Sequence, residues 1–448
     1  VSLESGSARA WVAAAVAVLA LLFGVAWLLV APESRKPLDD YVASVRAAGK
    51  PVTAEEAVGP PPPRETNGCV DLDSACKWLD EHAGPPSKWT YAGPWNQPGS
   101  PTWYDDEPPE RLAALDKFLA SLQPYFDGFA ASFAKPRLVP TTTRNVEGWL
   151  VESGVARLLE AIPVIQARAL AASRAEDRLD AVALLLALSV RVDSPSALSQ
   201  ILRSAASRAG VLALRRDLER DALDVKAART RLDPLLAERS LPRVPAMVAY
   251  LRAQMLDVAT HVDVGGLARS RPLSRAFEQA VDRIERSLTG KPPLSDPDYV
   301  GTPKQFAEAH AAFAPLESLP TDSYPRMAAE IRTFVSATTM TPFVERWMPA
   351  SPTFIEHIAR MDAATSLARI ALAVAEHRAK HGDFPASLDE VKPMFPDGVP
   401  LDPYNDAPFV YERTSAGARI ASAGRLPEDK PLDAAKLRER CLVWELKR

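Results

Sequence analysis

Cysteine and histidine are scarce in this chain, three and six among 448 residues. Cys69 and Cys76 lie close together and Cys441 lies far away, with His82 the one histidine near the pair. A zinc site needs more ligands than that segment offers. An excess of charge is also missing. The net charge is −4, so no global field draws the chain to nucleic acid. Its arginines often stand beside acids, as in Arg215 to Asp221, RRDLERD. That is a solvated helix face laced with i,i+4 pairs, not an uncompensated phosphate-binding stripe. No P-loop, G-x-G-x-x-G or G-x-S-x-G element occurs, which removes the commonest nucleotide-binding and hydrolase signatures and lowers the expectation of an enzyme. Ser74 and Lys77 have the S-x-x-K spacing, but the companion S-D-N and K-T-G elements are absent, so the match is chance.

One long hydrophobic run is present, Trp11 to Ala31, and it holds no charge. As a helix it would extend ~31 Å, the thickness of a bilayer core. Trp11 and Trp27 lie near its ends, where amphipathic rings settle at the headgroups. The exit, VAPES, lacks a small-x-small cleavage site. The expectation is a retained single transmembrane helix in residues 1–31, with the membrane as one partner. Arg9 precedes it, and Arg35, Lys36, Arg46 and Lys50 follow among acids, so local charge leaves the orientation open.

Residues 32–109 read as a proline-rich tether followed by an aromatic-rich loop. Twelve of the 41 prolines fall between Pro51 and Pro109, and the run GPPPPR from Gly59 favours polyproline II. A short helix over Pro37 to Ala48 is expected, with Leu38, Tyr41, Val42 and Val45 on one face. In an oxidising compartment Cys69 and Cys76 could form a disulfide; two unrelated thiols are the other reading. Trp89, Trp95 and Trp103 stand among prolines and glycines. They are candidate ligand-binding rings for glycan or peptide, or they clamp the loop onto the body, since a tryptophan buries much area at low entropy cost.

Residues 110–350 read as an α-helical domain. Helical runs are expected over Val146 to Ser173, Arg174 to Val192, Ser196 to Glu238 (with breaks near Asp221 and at Pro234), Pro245 to Val262, Leu273 to Leu288, Pro303 to Leu316 and Tyr324 to Thr338. Leu179, Val182, Leu186 and Val190 step by three and four, as do Phe277, Val281, Ile284 and Leu288.

Residues 351–448 change character. A helix over Thr353 to Lys380, with Leu367, Ile370 and Val374 on one face, ends at His381-Gly382. Ser387 and Glu390 have capping-box spacing. Phe409 to Arg413 and Arg419 to Ala423 predict a hairpin, and Leu442 to Leu446 a third strand. His377 and His381 stand four apart on the helix, but the order EH-x-x-x-H is not the metalloprotease order, and a third ligand is missing. No metal or cofactor is expected.

This tail resembles the C-terminal region of type II secretion major pseudopilins. The resemblance rests on His381, Gly382, Phe384, Pro385, Leu388, Asp402, Pro403, Tyr404, Pro408, Tyr411, Ser422 and Gly424. It spans about Ile358 to Leu446. The hydrophobic run lacks the pilin glutamate, so polymerisation as a pilin is not implied. The family's calcium loop is replaced by Arg425 to Lys430, RLPEDK, so calcium is not implied either. The anchor, helical body and tail together are similar to uncharacterised envelope proteins of Gram-negative bacteria. The resemblance implies an inner-membrane, single-pass protein with a periplasmic body. The expected class is mainly α: an N-terminal transmembrane helix, an α-helical body, and a small C-terminal α+β module with a short antiparallel sheet. The expected function is a non-enzymatic structural or protein-docking component of the cell envelope. A glycan- or peptide-binding module and a hydrolase of unrecognised class are the alternatives.

Overall fold

A computed structural model of the chain describes residues 36–60, 62–84, 108–140, 142–144, 150–261, 303–338, 352–425, 437 and 442–447. The hydrophobic run Trp11 to Ala31, the aromatics Trp89, Trp95 and Trp103, the run Leu273 to Leu288 and Cys441 lie outside the described residues. Among the described residues no helix is long and apolar enough to cross a membrane. The chain forms two compact units, Val1–Lys50 with Ala259–Glu308, and Pro51–Val258 with Ala309–Arg448.

The first unit contains α1 (Lys36–Ala47), the helix expected from the spacing of its apolar residues. Leu38 and Val45 are its buried positions.

The second unit is a mainly helical body with a small antiparallel sheet at its C-terminal end. It begins with α2 (Ala54–Val58), α3 (Cys69–His82), α4 (Pro109–Ser121) and α5 (Gln123–Phe133). The first two correct the reading of 32–109 as tether and loop. Ala54 is fully buried beside Tyr250, and its N–H donates to Asp257 Oδ2 at 3.3 Å. The proline count concealed α3, although Cys69–His82 contains no proline. Its buried Cys69, Leu72, Cys76 and Leu79 step by three and four. Gly128 lets α5 approach it, since a Cβ there would lie 2.9 Å from Ala75 Cβ. The buried Tyr125, Phe126 and Phe129 of α5 fill the layer beneath.

Of the two readings of Cys69 and Cys76, the structure has the unrelated thiols and not the disulfide. Both residues are buried thiols on α3. Seven residues along one helix is a rise of roughly 10 Å, while bridged cysteines need Cα atoms within about 7 Å. Burial pushes the Cys76 thiol up to about 12, so it is a packed apolar group and not a nucleophile.

A short hairpin follows, β1 (Thr142–Arg144) with β2 (Leu150–Glu152), in the register Thr143↔Val151. It displaces the start of the expected Val146 helix to Ser153. Then come α6 (Ser153–Ala171), α7 (Ala175–Arg191), α8 (Ala197–Glu219) and α9 (Val225–Leu236). The break near Asp221 is real, with that residue left-handed at φ 54°. Pro234 lies inside α9, which ends two residues later at Leu236. Next are α10 (Val244–His261), α11 (Pro303–Ala312), α12 (Tyr324–Ala337) and α13 (Pro352–His381). Helices α6, α7 and α8 pack side by side, and α13 packs against α8, α9 and α12.

The apolar face expected on α13 understates it. Leu367, Ala368, Ile370, Ala371, Leu372, Ala373 and Val374 are all fully buried. Buried on every side through this stretch, with Arg369 among the buried residues, α13 runs through the interior of the second unit, which continues across residue 350. A 3-10 turn (Leu388–Met394) leads to the paired β3 (Leu401–Asp402) and β4 (Ala407–Pro408). The sheet is β5 (Val410–Thr414), β6 (Gly417–Ala421) and β7 (Val443–Lys447), antiparallel, in that order. Its inner residues Ala418, Ile420, Trp444 and Leu446 are buried. Gly417 is required where β6 meets β7: a Cβ there would lie 1.9 Å from the Leu446 carbonyl oxygen.

Candidate functional site

The C-terminal end of α13 and the sheet beyond it gather the residues on which the pseudopilin resemblance rests. Gly382 ends α13 in the left-handed region at φ 78°, and its N–H donates to Arg378 O at 2.8 Å. The chain then turns inward, burying Phe384 and Pro385. Tyr411 of β5 donates its hydroxyl to Pro385 O at 2.7 Å, and Arg413 pairs with Asp383. These bonds staple the strand to the helix end. Ser387 caps the 3-10 turn, and Glu390 Oε1 accepts from the Ala386 N–H at 3.1 Å.

Asp402 organises the remainder. Its carboxylate accepts from Ser422 Oγ at 3.0 and 2.9 Å, from the Ala423 N–H at 2.6 Å and from the Tyr404 N–H at 3.1 Å. Asp402, Pro403, Tyr404 and Ser422 are all buried. Burial holds the Asp402 carboxyl above the ordinary aspartate value, against the pull of these donors. The cluster joins the β3–β4 loop to the segment after β6.

Exposure is concentrated elsewhere in the same module. Leu401 and Pro408 face each other across β3 and β4, and Val410 follows two residues on. Leu401 is 51% and Val410 49% exposed. Among the described residues β5 pairs only with β6. Among the described residues no strand covers its other edge, which lies beside an apolar corner.

The other sequence candidates resolve as local structure. His377 directs Nδ1 to Asp383 O and Nε2 to Glu390, each at 3.3 Å, so both ring nitrogens are engaged. His381 is exposed, with its ring 4.4 Å from that of His377. Among the described residues no three potential ligands gather for a metal. Ser74 donates to Val70 O, and Lys77 lies 3.8 Å from Glu81.

Tertiary structure also assembles groups that no motif announced. Ser204 of α8 and His357 of α13 meet at 2.5 Å through Oγ and Nε2, and Arg360 bonds His357 Nδ1. A guanidinium only donates, so Nδ1 accepts and the neutral ring carries its proton on Nε2. The imidazole thus donates to the serine, the reverse of what a general base must do. Burial, then the charges of Arg360 and Arg208, lower the His357 pKa. The unfolded chain therefore takes up a proton before the native state does. The stability this residue contributes is complete above its ordinary value of 6.5 and is lost as pH falls from there to the native value. Urea midpoints measured down this range should fall less steeply for His357→Gln than for the wild type. Parallel profiles would refute the assignment.

Asp362 is a second such centre, accepting from the Ser240 N–H and the Tyr324 hydroxyl and tying α12 and α13 to the turn before α10. Charge pairs Arg369–Asp233 and Arg229–Glu376 clamp α9 to α13. Burial opposes ionisation of Glu376, but Lys380 and Arg229 hold its carboxyl below the ordinary value. A cleft of about 330 Å³ opens beside these helices, where the ends of α8 and α13 meet β7.

No known family model, curated protein or solved structure matches the chain.

Proposed function

We propose that this protein is a non-enzymatic docking component of the cell envelope, anchored by Trp11 to Ala31, with an extracytoplasmic body and the C-terminal sheet as its contact surface. The edge of β5 that no strand covers among the described residues, beside exposed Leu401, Pro408 and Val410, carries the reading. An extended segment of another protein can add a strand there, with main-chain bonds supplying affinity and the apolar corner supplying a pocket. A second copy of this chain fits poorly. Two-fold antiparallel pairing of β5 about Glu412 or Arg413 sets like charges directly opposite.

The test is crosslinking in membranes of the source cell, from a photoreactive residue placed at Thr414, with wild-type Leu401 and Val410 or both changed to lysine. Both side chains are exposed, so the double variant should fold normally. A discrete crosslinked product lost in the double variant supports the reading; a product of unchanged yield, or none, overturns it. Alkaline phosphatase fused after Arg448 should be active. Inactivity would place the body in the cytoplasm and remove the envelope reading.

A further inference from the structure

The end of α8, the start of α9, the last turns of α13 and the tip of β7 enclose the 330 Å³ cleft. This lies at the opposite edge of the sheet from β5 and does not depend on the docking reading. Its volume is in the range of small-ligand sites. The lining is mixed: Leu218, Leu223, Val225, Phe384 and Leu446 supply its apolar part, and Asp217, Asp221 and Arg378 its polar part.

The charges around it are unequal in availability. Asp217 is already engaged: Arg178 Nε donates to both of its oxygens at 3.1 and 3.0 Å. Asp221 is different. The left-handed turn that ends α8 projects it outward, and its side chain is 76% exposed. Arg378 faces it from α13, with its guanidinium carbon 5.2 Å over the Phe384 ring and one nitrogen donating to Lys447 O at 2.8 Å. These contacts fix the guanidinium plane. Its nearest approach to Asp221 is 3.9 Å, a charge pair without a hydrogen bond. Each group can therefore take a ligand atom without first losing a strong bond to the other.

We propose that this cleft binds a free apolar α-amino acid, with its carboxylate on Arg378, its ammonium on Asp221 and its side chain against the apolar lining. Two opposite charges set this close match two opposite charges on one α-carbon. The termini of a longer peptide would be too far apart to reach both. A phosphate group would meet one guanidinium and two carboxylates, and the repulsion disfavours it.

Equilibrium dialysis of the detergent-solubilised full chain with radiolabelled L-leucine tests this. L-Leucine should bind saturably. Leucinamide, which lacks the carboxylate, and 4-methylpentanoate, which lacks the ammonium, should each bind about twofold to fivefold more weakly, the effect of losing one solvent-exposed charge contact. Aspartate should not compete. Asp221→Asn, which keeps a residue tolerant of the left-handed turn, should abolish the preference for leucine over 4-methylpentanoate. Arg378→Gln should abolish the preference over leucinamide. Ala379→Trp, at an exposed position on the cleft, should block binding without touching the core. Absence of saturable binding by L-leucine, L-isoleucine, L-valine and L-phenylalanine would overturn the proposal. So would binding that all three variants leave unchanged.

Discussion

Asp402→Ala is expected to destabilise the second unit by about 3 kcal/mol, because it leaves two buried donors and one half-buried donor without an acceptor. Those donors are the Ser422 hydroxyl and the N–H groups of Ala423 and Tyr404. Asp402→Asn keeps one acceptor oxygen and should cost less, about 1–2 kcal/mol at neutral pH. The pH dependence separates charge from shape. Burial raises the Asp402 pKa in the native state, so the unfolded chain loses its proton first as pH rises. The contribution of Asp402 is therefore greatest below its unfolded value and falls as pH rises toward the native value. The wild type should exceed Asp402→Asn by most in acid and by least at neutral pH. Urea unfolding followed by circular dichroism at several pH values measures this. An alanine variant within about 0.5 kcal/mol of the wild type would mean that the carboxylate does not hold the tail together.

Gly68→Ala is expected to cost about 3 kcal/mol, at the upper end of what overpacking by one methyl group does. The backbone at Gly68 is ordinary, with φ −65° and ψ −18°, so the glycine is not there for conformational freedom. It is there for space. A Cβ would lie 2.2 Å from the Ser132 carbonyl oxygen and 2.5 Å from Leu138 Cδ2. The Gly68 N–H also donates to Arg137 O at 2.8 Å, next to the Asn67 amide that bonds Val139 O at 2.9 Å. The start of α3 is thus pinned to the segment that follows α5 and cannot move away from it cheaply. Gly128→Ala, whose Cβ would meet Ala75 Cβ at 2.9 Å, presses on a side chain and should cost less. Thermal unfolding of the two variants gives the order. Equal losses, or none at Gly68, would show that the α3–α5 contact yields more than its geometry implies.

Most of the helices were legible in the sequence because their signals are local. Three-four spacing and punctuation by proline or glycine place α1, α7, α8, α10, α12 and α13 within a few residues. The hairpin and third strand of the tail follow in the same way from alternation and a turn. Helix α3 was missed for a physical reason: proline density was averaged over 32–109, and a proline-free helix within that stretch keeps its own period. The disulfide failed because closeness in sequence says nothing of separation along a helix. Gly68 carried no signal, since a glycine with ordinary angles is explained by its neighbours in space alone.

The sequence by itself determined the helical class, the absence of the commonest catalytic signatures, the short C-terminal sheet and the one long apolar run. Each depends on residues within a turn or a strand of one another. Only tertiary structure decided which polar groups meet. Ser204 and His357, Asp362 and Tyr324, Asp221 and Arg378 are separated by 153, 38 and 157 residues. The direction of the Ser204–His357 bond needed a third residue, Arg360, to fix the proton. Side-chain periodicity reports which face of a helix avoids water, but it carries no information about which helix covers that face.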